Sequence, residues 1–270
     1  MTQTRRLSSG LINRQRPLNF EFDGKKFSGY QGDTLASALL ANGVQLIGRS
    51  FKYHRPRGPF TSGSEEPNAI VELREGARKE PNTRATTIEL YDDLIAKSQN
   101  RWPSLGFDMM AVNDLFSNFL TAGFYYKTFM WPAAFWEKLY EPIIRRAAGL
   151  GSASLEADPD CYDKGFLHCD LLIIGAGAAG LAAALVAGRA GLDVILADED
   201  FVIGGRLNQE SFSIDDQSGS AFAASTYEEL ASLPNVKIMT RTTVIGAFDH
   251  GVYALVDRVA DHFKVPADGQ

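Results

Sequence analysis

One stretch constrains this chain more than any other. Leu171-Leu172-Ile173-Ile174 is an apolar run that stops at Gly175-Ala176-Gly177-Ala178-Ala179-Gly180, and alanine and leucine dominate from there to Ala190. An apolar run ending at glycine reads as a buried parallel strand from Asp170 to Ile174. Good helix formers from Ala178, with Arg189 near the end and Gly191 beyond it, read as a helix and its stop. Leu192 to Ala197 reads as a second strand ending at Asp198. Strand, glycine turn, helix and strand make a βαβ unit, and the glycines fit G-x-G-x-x-G. Gly175 permits the tight turn, Gly177 lets backbone amides approach a pyrophosphate, and Gly180 lets the helix lie close on the strand. The free amides and positive dipole end of the helix at Ala178 and Ala179 favour those phosphates. Asp198 follows Gly180 by about eighteen residues, the spacing at which an acid accepts from a ribose hydroxyl. An acid rather than an arginine there selects NAD or the ADP half of FAD over NADP, and the spacing leaves those two open.

Glu199-Asp200-Phe201-Val202-Ile203 then leads to Gly204-Gly205-Arg206. A glycine pair this soon after the acid is the pattern of two-dinucleotide-binding flavoproteins, where it lets the loop fold over the pyrophosphate. A flexible surface loop is the competing reading. Arg206 has two readings, a phosphate contact and a solvated side chain. Ser220–Leu233 reads as a helix, Val236–Met239 as a third parallel strand, and Thr243–Phe248 with Val252–Val256 as a hairpin about Asp249-His250-Gly251. This domain type needs a further strand that Val265–Gln270 does not supply, so the reading expects a C-terminally incomplete Rossmann domain over residues 166–270.

Residues 1–16 are polar and basic without periodicity and read as a flexible arm. Leu18–Phe22 alternates as a strand, Asp23-Gly24 turns the chain, and Lys26–Tyr30 returns. Asp33-Thr34 caps a helix from Leu35 to Asn42, which Gly43 ends. Hairpin then helix suggests a β-grasp over residues 17–99, with later strands expected at Ala69–Leu73 and Thr86–Leu90 and an exposed connection at 74–85. The order, including the GDTLASALLANG helix, resembles the ferredoxin-like [2Fe–2S] domain that precedes the flavin domain in several amine- and amino-acid-oxidising enzymes. Such a cluster needs four thiolates, and no cysteine precedes Cys161. The reading is a ferredoxin fold without an iron–sulfur cluster. In place of the ligands, Gly48–Gly58 is basic and aromatic. It has two readings, an anion-binding loop and a basic surface that packs or is solvated. His54 has no acid or nucleophile beside it in sequence, which argues against a general base.

Residues 100–165 form an aromatic-rich helical connector. Prolines at 103, 132 and 142 break it into short helices, and Phe135, Trp136, Leu139 and Tyr140 make one helical stripe. So many large aromatics call for cover from another domain or subunit. Gly149–Tyr162 reads as a linker. A net charge of −6 argues against a nucleic-acid partner. The two cysteines, Cys161 and Cys169, suit a reducing cytoplasm, with Cys169 read as a small core residue. No apolar stretch reaches the roughly 18 uncharged residues of a membrane span, and no targeting segment is visible.

Taken together, the cysteine-free β-grasp, RSFKYHRPRG, GSEEPNA, NRWPSL, FYYKTFMWP and GAGAAGLAAAL resemble the α subunits of the heterotetrameric sarcosine oxidases. The resemblance implies oxidation of sarcosine by oxygen to glycine and hydrogen peroxide, with the one-carbon unit passed to tetrahydrofolate. It implies NAD in the Rossmann domain, FAD and FMN elsewhere in the complex, and beta, gamma and delta subunits as partners. The residues carried over as NAD contacts are Gly175, Gly177, Gly180, Asp198, Gly204 and Gly205, with Ala178, Ala179, Glu199 and Arg206 beside them. None is a catalyst. A non-catalytic dinucleotide-binding and assembly module, or a subunit of a related amine or opine dehydrogenase, is the alternative.

Overall fold

The computed structural model describes the chain apart from residues 1, 2, 4, 9, 119–121, 124–128, 148–150, 212, 215 and 264–270. The expectation for Val265–Gln270, and part of the aromatic block, lie outside the described residues. Two compact units divide the chain, Met1–Pro159 and Asp160–Gln270.

In the first unit, β1 (Asn13–Phe22) and β2 (Lys25–Gln31) pair antiparallel. Asp23 and Gly24 turn the chain between them, both at positive φ, as a tight hairpin turn requires. β5 (Ile70–Leu73), β6 (Glu80–Arg84) and β7 (Leu94–Ser98) complete a sheet of order β2-β1-β7-β5-β6. β7 runs parallel to β1, with Phe20 opposite Leu94 and Phe22 opposite Ala96. Helix α1 (Leu35–Ala41) lays Leu35, Ala38 and Leu39 on Phe20, Phe22, Val71 and Leu94 to form the core. Its start is doubly tied. The Thr34 hydroxyl accepts from the Ser37 amide while the Ser37 hydroxyl accepts from the Thr34 amide, a reciprocal cap. Gly48–Arg49 (β3) and Pro56–Arg57 (β4) make a small ribbon before β5.

Three expectations change. Residues 13–16, read as part of an arm, open β1, and the arm's Arg6 pairs with the buried Asp33 carboxylate, which also accepts from the Tyr30 amide. Arg6 and residues 13–16 are therefore fastened to their own domain. Thr86–Leu90 is not a strand of the sheet. Its alternation is real, because Thr86, Ile88 and Leu90 are buried, yet Ile88 accepts from Leu35 and Leu90 donates to Asp33, so this segment lines the start of α1. The strands are instead β6, within the expected connection, and β7. β6 is an edge strand facing solvent, and nothing in Glu-Pro-Asn-Thr-Arg alternates in polarity to reveal it.

The connector begins fastened to this domain. Arg101 pairs with Asp23, and Arg49 donates to the Leu105 carbonyl. Beyond lie 3-10 turns at Met109–Phe116 and Ala133–Phe135, a π turn at Trp136–Tyr140 and helix α2 (Glu141–Ala147). The helices are short, as the prolines require. Phe135 and Leu139 of the expected stripe are exposed, and Trp131 is 83% exposed.

The second unit holds a three-stranded parallel sheet, β8 (Leu171–Ile174), β9 (Val194–Ala197) and β12 (Val236–Met239), in the order β12-β9-β8. All four residues of β9 are buried, as a central parallel strand should be. Helices α3 (Ala178–Arg189) and α4 (Gly219–Ser232) close the core through Leu181, Ala184, Ala223 and Leu230. Between them a short ribbon forms, β10 (Ser213–Ile214) with β11 (Gln217–Ser218). The expected hairpin is β13 (Thr242–Phe248) and β14 (Val252–Asp257). Cys169, read as a core residue, lies before β8 and is exposed. Among the described residues no helix is long and apolar enough to cross a membrane.

Candidate nucleotide site

The site grows from the end of β8. Gly175 takes φ 96°, a conformation that disfavours side chains, and donates its amide to Ala197 at the end of β9. Gly177 then serves as N-cap of α3 without any side-chain cap bond, so no capping side chain takes the first amides of the helix. Gly180 packs the helix against the turn. A Cβ there would lie 1.8 Å from the Gly175 carbonyl oxygen, which no side chain can tolerate. The third glycine therefore has the packing role that its spacing predicts.

The Gly204–Gly205 pair meets this turn. Gly204 donates to the Ala176 carbonyl at 2.9 Å, and a Cβ on Gly205 would stand 3.4 Å from the Gly177 Cα. Both residues adopt positive φ, 114° and 50°. Asn208 braces the loop by donating to the Ile203 carbonyl. The structure thus joins Gly175, Gly177, Ala178, Ala179, Gly180, Gly204 and Gly205 into one backbone-lined cradle.

Asp198 reaches it from β9. One carboxylate oxygen accepts from the Ala176 amide and the other from the Asp200 amide. Each oxygen has a second lone pair, so the group keeps acceptor capacity for a hydroxyl. Its backbone is held as well, donating to Met239 and accepting from Thr242. Glu199 offers its carbonyl to Arg258 of the hairpin segment. The exposed Arg206 side chain pairs with Glu210. Ala176, Asn208 and Thr242 are parts of the site that sequence reasoning missed. Ala176 is one of the variable letters of the fingerprint, and Thr242 becomes adjacent only through the pairing of β12 with β9.

The basic loop of the first unit makes contacts within its own unit. His54 finds an acid after all, since its Nδ1 lies 2.7 Å from Asp108, with both side chains buried. Asp108 also accepts from the Trp102 and Met110 amides, and Arg55 pairs with Asp114. These contacts bind the connector to the loop, as the packing reading expects, and leave the anion-binding reading untested.

Two family models match the chain, one within each compact unit. Residues 15–101 match the family described as the 2Fe-2S iron-sulfur cluster binding domain, and residues 170–256 match FAD dependent oxidoreductase. The chain is homologous along nearly its whole length to sarcosine oxidase subunit alpha. It is 60% identical over 99% of its residues to that subunit from Rhizobium meliloti (strain 1021), covering 27% of it. Identity to the subunit from Corynebacterium sp. (strain P-1) is 32% over 95% of the chain, covering 22% of that protein. The chain thus spans about a quarter of the length of these relatives. The L-proline dehydrogenase from P. horikoshii shares the fold, with a TM-score of 0.53 at 21% identity over 91% of this chain and 38% of that one.

Proposed function

We propose that this chain is the nucleotide-holding portion of a sarcosine-oxidising enzyme's alpha subunit, with NAD as the ligand of the cradle. The enzyme would convert sarcosine to glycine with oxygen, release hydrogen peroxide and hand a one-carbon unit to tetrahydrofolate, in company with beta, gamma and delta subunits. The observation that carries the nucleotide assignment is the cradle itself: an uncapped helix start, a Gly180 that admits no side chain, and a second glycine loop laid across the first.

In this reading the amides of Ala178, Ala179 and Gly180 face the pyrophosphate, and the Asp198 carboxylate accepts from a ribose hydroxyl. Gly204 and Gly205 let their loop close over the phosphates. Glu199 lies beside the cradle, and Arg206, paired with Glu210, does not take part in holding the phosphates. When bound, the dinucleotide supplies hydride-transfer chemistry, while the chain binds and orients it. The match of residues 170–256 to FAD dependent oxidoreductase favours a second reading, in which the same cradle holds the ADP half of FAD.

Denaturing the purified chain and identifying the released nucleotide by chromatography, mass and flavin absorbance decides between them. NAD without flavin supports the first reading and FAD the second. A chain that carries no nucleotide, and retains neither on incubation with each, would overturn both. For the enzyme as a whole, sarcosine-dependent peroxide release after co-expression with the partner subunits is the expected result.

A further inference from the structure

The family matched by residues 15–101 implies an iron–sulfur cluster, and the residues present do not fit one. Thiolates hold such clusters, in one common arrangement at the spacing C-x4-C-x2-C with a fourth ligand further on. The chain's cysteines are Cys161 and Cys169, both outside the matched residues. The loop between β4 and β5 carries that spacing at Thr61, Glu66 and Ala69. Glu66 is buried, 1% exposed. Its Oε2 accepts from the amides of Phe60 and Thr61 at 2.7 and 2.6 Å, and its Oε1 accepts from those of Asn68 and Ala69 at 2.6 and 3.1 Å. The Thr61 hydroxyl adds a fifth, longer contact at 3.3 Å. From the downstream segment the buried Thr86 hydroxyl closes the loop by donating to the Gly63 carbonyl at 2.7 Å.

A carboxylate has about four lone-pair sites, and four amides occupy those of Glu66. None remains for iron. Ala69 offers no ligand atom, and the Thr61 and Thr86 hydroxyls are not the thiolates that hold such a cluster. Backbone amides around a cluster ordinarily point at its sulfurs. Here the amides flanking the first and third positions point at the carboxylate on the second. We infer that Glu66 is an internal anion standing in for the iron–sulfur cluster, so that the loop keeps its amide-lined shape and the domain folds without metal. Burial pushes the Glu66 carboxyl up, and the amides of Thr61, Asn68, Phe60 and Ala69 together pull it below the ordinary carboxylate value. A charge held this way costs little to bury, because every lone pair is answered.

The inference separates from any purely packing role by its dependence on charge. Glu66→Gln keeps size and shape but replaces one acceptor oxygen with a donor facing amide donors. Thermal unfolding of the purified 270-residue chain should show its melting temperature lowered on the order of 10 °C. An unchanged melting temperature would overturn the inference. The unsubstituted chain gives two further readings that stand even if the variant does not fold. Amide hydrogen exchange at residues 60, 61, 68 and 69 should be at least about tenfold slower than at unbonded loop amides; free exchange there would sink the idea. Anaerobic incubation with ferrous iron and sulfide, followed by gel filtration, should leave no stoichiometric iron or acid-labile sulfide on the protein. Two irons and two sulfides per chain would show that the loop is still a cluster site.

Discussion

Two loops in this molecule gather backbone amides, and they treat them in opposite ways. The loop at 60–69 turns four amides inward onto its own buried carboxylate, Glu66. The turn at 175–180 directs the start of α3 outward with no side-chain cap. The cost of an unsatisfied amide is the same in both places, about 1–3 kcal/mol if it is also kept from water. What differs is where the anion comes from. The first loop supplies it from the chain and becomes part of the fold, whereas the second supplies no side-chain cap, and in the proposed function the anion there is the ligand's. Asp198 marks the limit of this economy in the second loop: it ties down Ala176 but leaves the helix amides alone.

The largest test is at the point of closest packing. Gly180→Val would press a branched side chain into the Gly175 carbonyl and should destabilise the second unit by about 3 kcal/mol or more, with loss of retained nucleotide on gel filtration. Normal retention would mean that the turn is not the nucleotide site. The next effect is one of pH. Because the folded Glu66 carboxyl titrates below its ordinary value of 4.5, its stabilisation is complete above that value and is lost as pH falls through the lower folded one. Urea midpoints followed by tryptophan fluorescence report the first unit, since Trp102, Trp131 and Trp136 all lie there. These midpoints should drop below about pH 4.5 in the native chain, and less steeply in Glu66→Gln. Equal slopes would erase the contrast between the loops.

Asp198→Asn sharpens the comparison from the open side. It removes the charge offered to a ribose hydroxyl and one amide acceptor, so nucleotide affinity should fall about tenfold or more, measured by calorimetry. Stability should fall by only about 1 kcal/mol. The smallest effect belongs to Arg206. Its exposed pair with Glu210 predicts that Arg206→Ala changes stability by no more than about 0.5 kcal/mol and leaves nucleotide binding unaltered. A large loss of affinity would return Arg206 to the phosphates.

Much of the cradle was legible because its signals are local. Gly175, Gly177 and Gly180 act within one turn, so their spacing alone states the turn at Gly175 and the close packing at Gly180, and the apolar runs of β8 and β9 and the alanine-rich α3 follow the same short-range rules. The Leu35, Ala38 and Leu39 face of α1 was legible for the same reason. The edge strand β6 was not, because a polar edge carries no alternation and becomes a strand only by pairing with β5. Thr86, Ile88 and Leu90 alternate as a strand would, yet they cover the start of α1, since alternation reports which side is buried and not what buries it.

The sequence by itself determined that a βαβ unit with an open helix start follows a small β-grasp domain, since glycine spacing and periodicity act over a few residues. It also determined that the first domain holds no thiolate. Only the tertiary structure decided that Arg6 docks on Asp33, that His54 meets Asp108 across 54 positions, and that Glu66 collects the amides on both sides of its loop. Those outcomes depend on polar groups leaving water together. Which partners they find is set by how the elements pack, a choice that no run of neighbouring residues encodes.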